Sequence, residues 1–261
     1  GINVYSAHTN LDSAKDGLNN YIAQKLLAKD AKIMDENFYS VYKMNIFVSK
    51  SILAEVLSIL NGSRELEFLE YKRVTYTSKV TERVLVNNEI KELDSYNIQI
   101  MGEKNKLYSI LNKIREKHSI SEIAFEILPL ENKHKTGTGL GRFFKLENPM
   151  SLEEYIIFVK DKLNLDFVKV VKANDKLIKK VAIVNGSGAE FWKKAYDMGA
   201  DVFITGDFKY HNALDAYEKG LNIVDIGHYE AEHFFYEIII KKLDDNLRVE
   251  VYNEKRILEI K

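Results

Sequence analysis

Apolar positions change their period several times along this chain, and each change marks an element. Residues 2–6 read as a short buried strand running straight into His8. Leu18, Ile22, Leu26 and Leu27 then fall on one face at helical spacing, predicting a helix over 18–27. Residues 43–48 are strand-like, and Ser51 opens a helix through 60. Two β-rich runs follow at 66–76 and 83–86, then a strand at 96–101, a helix at 104–117 and a strand at 122–128. That β-α-β-β-α-β order is the ferredoxin-like arrangement. Residues 133–141 are polar and contain glycines, so they read as a linker. Ser151 and Glu154 have capping-box spacing and start a helix that runs to about 163. From 167 onward strands (167–171, 180–184, 201–205, 221–226, 247–252) alternate with helices (190–198, 210–219, 230–243). Such alternation predicts an α/β sheet with helices on its faces.

The fold class expected is therefore α/β, and its organisation is nested. An α/β core spans 1–43 and 133–261, and an α+β insert spans 44–132. The insertion allows motifs near the two ends of the chain to be distant in sequence and close in space. The core is expected to be incomplete at its start, because the chain opens at Gly1 almost in mid-motif.

At 261 residues there is room for two modest domains. The formal net charge is -1, with both signs interspersed, which reads as solvated surface. A local basic stretch, Lys72, Arg73, Lys79 and Arg83, has Tyr71 and Tyr76 interleaved. Near-zero net charge and the lack of a recognised module argue against nucleic acid as a partner. There is no cysteine, which excludes disulfides and thiolate metal sites and fits a reducing cytoplasm. No apolar run approaches the ~18 residues of a membrane span, so no membrane partner is expected.

Two segments carry most of the candidate chemistry: His8-Thr9-Asn10-Leu11-Asp12 and Gly227-His228-Tyr229-Glu230-Ala231-Glu232. Each follows a strand-like run, at the sheet edge where open α/β folds build their sites. Imidazole and carboxylate without thiolate suit zinc, manganese or iron. His228 and Glu232 are spaced i, i+4 and so share one helix face, within reach of one ion; a surface His–Glu pair has the same spacing. Asp12 has lone pairs enough to bridge two ions. His8, Thr9 and Asn10 can hold ligand or substrate through hydrogen bonds, although Asn and Asp are equally at home in a turn. The run Ile204-Thr205-Gly206-Asp207-Phe208-Lys209-Tyr210-His211 ends a strand and opens a helix. Asp207 fits a helix N-cap. Lys209 is a candidate for binding a substrate anion and His211 for proton transfer, beside the simpler reading of a polar helix start. Asn185-Gly186-Ser187-Gly188 lacks the Lys-Ser/Thr ending of a phosphate loop, and a tight turn accounts for it more simply.

In combination and in this order, these segments resemble one family, the Nif-three-like proteins, also called GTP cyclohydrolase I type 2 homologs. The resemblance rests on 5–12, on Gly139-Leu140-Gly141-Arg142 leading to Pro149-Met150-Ser151-Leu152-Glu153-Glu154, and on 186–188, 204–211 and 227–232. It covers nearly the whole chain outside 44–130. The insert resembles, in predicted topology, a PII/CutA-like domain that some longer members carry. The resemblance implies a two-lobed core with two divalent metal ions per chain, with Asp12, His228 and Glu232 as ligands. On the reading of the chain as an enzyme, His8 and His211 are the proton-handling groups, and Thr9, Asn10, Lys209 and Tyr210 the substrate contacts. The resemblance further implies homohexamers, built as trimers of dimers, and metal-dependent hydrolysis of a nucleotide or phosphoester. The alternative is a non-catalytic metal-binding scaffold, metal chaperone or regulatory oligomer that uses the insert. Family members also carry a His-His pair upstream of the His8 segment. This chain has none among its six histidines, His8, His118, His134, His211, His228 and His233. The pair is expected to lie before Gly1.

Overall fold

The structure, a computed structural model, describes residues 1–68, 71–72, 74–118 and 123–252. In chain order the elements are α1 (Thr9–Ser13), α2 (Leu18–Lys25), β1 (Lys32–Ser49), α3 (Leu53–Gly62), β2 (Glu67–Phe68), β3 (Tyr71–Lys72), β4 (Thr75–Val86) and β5 (Glu89–Gly102). They continue with α4 (Lys104–His118), β6 (Phe125–Met150), α5 (Leu152–Leu163), β7 (Lys169–Val171), β8 (Ile178–Ile183), α6 (Trp192–Asp197), β9 (Val202–Thr205), α7 (Tyr210–Lys219), β10 (Asn222–Asp225), α8 (His228–Glu232) and α9 (Phe235–Ile240). The fold is mixed α/β. The chain forms two compact units, residues 1–37 with 136–261, and residues 38–135. No described helix is long and apolar enough to cross a membrane.

In the first unit the strand order is β6-β8-β9-β10-β7. β8, β9 and β10 run parallel, while β6 and β7 are antiparallel to their neighbours. The parallel strands are continuously apolar because both faces are covered. Val181, Ile183, Val202, Ile204 and Val224 point to one core, with Leu18, Ile22, Tyr155, Val159 and Phe234 from the helices. Ala182, Phe203 and Ile223 point to the other, with Trp192, Ala195 and Ala216. Two periods in the sequence, 2 for the strands and 3.6 for the helices, thus meet at shared cores. α5 begins as its sequence predicts: the Ser151 hydroxyl accepts from the Glu154 N–H, and the Glu154 carboxylate accepts from the Ser151 N–H.

The second unit contains the order β-α-β-β-α-β over its longer elements, with β1 paired to β5 and β5 to β4, both antiparallel. One face of β1 and β5 buries Met44, Ile46, Ile98 and Ile100 under Val56 and Leu60 of α3 and Leu107, Ile110 and Leu111 of α4. The β4–β5 hairpin turns at Asn87 and Asn88, both at positive φ, as a two-residue hairpin turn demands.

Three sequence expectations are corrected. Residues 2–6 form no strand: Ile2 is 93% exposed and Val4 91%, and no ladder partner stands beside them among the described residues. Apolar character alone does not make a strand without a neighbour to satisfy its backbone. Residues 247–252 likewise carry no regular element. Residues 133–141 are not a linker but the middle of β6. Gly139, at φ +157, is there because a Cβ would stand 2.1 Å from the Asp35 carbonyl oxygen, so only glycine lets the two backbones pass. Glu122, expected to open the last insert strand, and Arg73 of the basic stretch lie outside the described residues.

Candidate functional site

The chain leaves the C-terminal ends of β8, β9 and β10 through three loops, and all three contribute to one site in the first unit. His228 and Glu232 bracket the single turn of α8, and His228 Nε2 lies 3.1 Å from Glu232 Oε1. His228 Nδ1 lies 2.6 Å from Asp207 Oδ2. An ionised carboxylate only accepts, so Nδ1 carries the proton and donates to Asp207. The hydrogen bond to Asp207 holds the imidazole above its ordinary pKa; burial opposes this and Glu232 adds to it. Asp207 is therefore not the N-cap of α7, as its position in sequence predicted. Lys209 occupies that position, and Asp207, at φ 54, presents its carboxylate to His228 instead. Gly186, at φ +61, gives this pair its space: a Cβ there would stand 2.5 Å from Glu232 Oε1. The 185–188 segment is a tight turn whose Gly188 N–H is spent on the Gly186 carbonyl and Thr205 Oγ1, not offered to an anion.

Asp12 enters from α1. Its Oδ1 accepts from Asn185 Nδ2 at 2.9 Å, and its carbonyl accepts from Asn19 Nδ2 at 3.1 Å. Asn19 Oδ1 in turn accepts from the Asn185 N–H at 2.9 Å, so two buried asparagines fasten Asp12 to the end of β8. Arg142 fixes the chain just after Asp12. Its guanidinium, 2% exposed, donates to the carbonyls of Ala14, Lys15, Gly139 and Gly141 at 2.8–3.0 Å. Burial pushes its pKa down, and Asp16 partly offsets this. Sequence reasoning gave no role at the site to Asn19 or Asp225; it met Arg142 only within a stretch shared with the family and Asn185 only as part of a tight turn.

A cleft of about 210 Å³ is lined by His8, Leu11, Asp12, Leu18, Glu232 and Phe235. The structure thus brings His8, Asp12 and Glu232 to one cavity, with His228 touching Glu232. It does not bring the other candidates there. Thr9 and Asn10 are exposed on α1, and Asn10 is spent locally, accepting from the His8 N–H and donating to the Tyr5 hydroxyl. Lys209, Tyr210 and His211 are exposed at the start of α7. Among the described residues, no three His, Cys, Asp or Glu side chains stand close enough to share an ion. Toward a divalent ion the described donors offer one two-residue arm, His228 with Glu232, while Asp12 lines the cleft that Glu232 also lines. Asp207 on the far ring nitrogen is the carboxylate partner that metal-binding histidines ordinarily have.

The family model for Duf34/NIF3 (NGG1p interacting factor 3) matches residues 1–257. The chain belongs to this family. A Bacillus subtilis relative named GTP cyclohydrolase 1 type 2 homolog is 32% identical over 253 residues, covering 93% of this chain and 67% of the relative. A Halalkalibacterium halodurans protein of the same name is 32% identical over 266 residues, covering 97% and 70%. The chain therefore spans about two thirds of the length of these Duf34/NIF3 relatives. Among solved structures, a Bacillus cereus protein related to NIF3 superposes with a TM-score of 0.72 at 27% identity, covering 96% of this chain and 73% of that one. A Staphylococcus aureus protein gives 0.65 at 25% identity, covering 95% and 71%. The resemblance noted in the sequence is thus a family membership, and the fold is that of NIF3-related structures.

Proposed function

We propose that this chain binds divalent metal in the Asp12–His228–Glu232 cleft and serves as a metal-dependent hydrolase of a nucleotide or phosphoester. The observation that carries the reading is the histidine with a carboxylate on each ring nitrogen, opening on a cleft that Asp12 shares. His228, Glu232 and Asp12 would hold the ions, two per chain when the upstream His pair is present, of zinc, iron or manganese. Bound metal would supply Lewis-acid polarisation of the scissile group. His8 is exposed and lines the cleft, and would exchange a proton with substrate. The cleft's 210 Å³ is below the ~300 Å³ at which pockets start to enclose drug-sized ligands. His211, Lys209, Tyr210, Thr9 and Asn10 would then meet only the outlying part of a substrate.

Metal content per full chain, by plasma mass spectrometry after dialysis against zinc, iron or manganese, tests the reading. At least one retained ion in the wild type, lost in His228→Ala and Glu232→Gln, is expected. Retention unchanged in both variants overturns the assignment of the ligands. Phosphate release from phosphoesters and GTP by the loaded chain follows. Loaded but inert protein would favour the second reading, a metal-binding scaffold or regulatory homo-oligomer. That reading has its own support in the second unit, which has a separate core and an exposed β4–β5 hairpin bearing Leu85 and Ile90. We read this unit as the ferredoxin-like, PII/CutA-like insert. Sedimentation of the full chain, hexameric or not, bears on the assembly directly.

A further inference from the structure

We propose that Asp225 is a positioning residue for the His228–Asp207 pair, setting the loop after β9 against the loop after β10. The inference rests on the reading of His228 and Glu232 as a metal arm. Asp225 ends β10 and is 3% exposed. A carboxylate buried so far needs donors for its charge. Its Oδ1 accepts the Gly227 N–H at 2.9 Å, and its Oδ2 accepts the Phe208 N–H at 3.1 Å. A third contact, Lys169 Nζ at 3.4 Å, comes from a largely exposed side chain and contributes little.

The two backbone donors identify the function of the charge. Gly227 directly precedes His228, and Phe208 directly follows Asp207. One carboxylate therefore grips the chain one residue away from each member of the 2.6 Å His228–Asp207 hydrogen bond. Beyond the last ladder pair, Asp225 with Thr205, the Ile226 N–H still bonds to the Thr205 carbonyl and the Gly206 N–H to the Gly186 carbonyl, and the Asp225 carboxylate carries that grip on to Phe208 and Gly227. A carboxylate can serve two N–H donors at once through its two oxygens. An asparagine of the same shape has one acceptor and would turn its amide hydrogens against the other donor. At the opposite end of β10, Asn222 plays a similar buried part for a different loop, with its Oδ1 accepting from the Ala173 and Asn174 N–H groups. Asn222 thus provides an internal control on the same strand.

The test compares Asp225→Asn with Asn222→Ala in the full chain, read by Co²⁺ titration and its visible spectrum. Both variants are expected to lower Tm. Only Asp225→Asn is expected to weaken Co²⁺ binding, by about 10–100-fold, and to alter the cobalt spectrum. The second readout is the His228 Nδ1 proton resonance in histidine-labelled, metal-free protein. It is expected to shift or vanish in Asp225→Asn and to persist in Asn222→Ala. Wild-type cobalt affinity and an unmoved resonance in Asp225→Asn overturn the proposal. If the wild type takes up no Co²⁺, the metal reading fails by itself, and the resonance still decides the role of Asp225. Should Asp225→Asn not fold, Asp225→Glu keeps the charge while displacing it by one methylene. The same shift of the resonance is expected there, and its absence overturns the proposal equally.

Discussion

The two units bury polar side chains in different ways. The core of residues 38–135 is aliphatic, and its few buried polar residues, Asn45, Ser63 and Ser95, are scattered. The unit of residues 1–37 and 136–261 buries Asn19, Arg142, Asn185, Thr205 and Asp225, hydrogen-bonded around the loops that leave β8, β9 and β10 or around the segment after α1, and Asn222 at the other end of β10. Burying such groups is costly unless every donor and acceptor is met, and here most are. A chain that needed only stability could have filled these places with Leu or Val. The difference teaches where precision matters: around Asp12, Asp207, His228 and Glu232, with no comparable cluster among the described residues of the second unit.

Arg142→Met breaks this arrangement most severely. Four carbonyls lose a charged donor, and the segment after Asp12 loses its tie to β6. We expect a loss of about 3 kcal/mol in unfolding free energy by urea denaturation. A loss below about 1 kcal/mol would mean that the segment is held by other means. Next in size is Asp207→Asn, which removes the charge behind His228 while leaving its shape. Metal affinity should fall about 10–100-fold by isothermal titration, with little change in Tm because Asp207 is exposed. An unchanged affinity would detach Asp207 from the metal arm.

The contrast between the units also explains what the sequence could and could not disclose. The strands β8, β9 and β10 were legible because residues buried on both faces leave continuous apolar runs, and α7 was legible to its ends, Tyr210–Lys219. The Ser151 cap was legible because the capping box is a local chemical pattern. Residues 2–6 and 133–141 were misread for one reason: pairing is decided by neighbours, which no local pattern reports. Gly139 looked like flexibility and is a close crossing of two backbones. At the site, the pairing of His228 with Glu232 could be read from their spacing, whereas the partnership of His228 with Asp207 could not. Asp207 resembled a helix cap, and only the fold reveals that its carboxylate faces another loop. Asp225 passed as an interior residue of the strand 221–226, and Asn185 as part of a tight turn, for the same reason.

Within the first unit the rule of satisfied polar groups has exceptions among the described residues: Asn185 Oδ1 beside Asp12, and a second one deeper in the core. Tyr155 is fully buried in the core beneath β8, and its hydroxyl has no partner among the described residues. Its position is remote in role from the cleft, so the hydroxyl should be a cost without return. Tyr155→Phe is expected to stabilise the chain by about 1 kcal/mol at neutral pH, measured by denaturant melts. The pH dependence has a definite sign. Burial raises the folded-state pKa above the unfolded value of about 10, so the folded state resists ionisation. The wild type should lose stability as pH climbs past about 10, and the Phe variant should lose less. Destabilisation by Tyr155→Phe would show that the hydroxyl is satisfied in solution after all.

The smallest effect is expected where the second unit places its charges. Arg83 and Glu92 sit directly opposite each other in the β4–β5 ladder, 2.9 Å apart, and both are exposed. An exposed pair gains little Coulomb energy in water and spends side-chain entropy to hold its geometry. A double-mutant cycle with Arg83→Ala and Glu92→Ala should return a coupling of about 0.5 kcal/mol or less, falling further as salt is raised. A coupling several times larger and insensitive to salt would mean that the pair is shielded from solvent in the native assembly. That outcome would give the second unit a buried charge pair of its own and weaken the contrast between the two units.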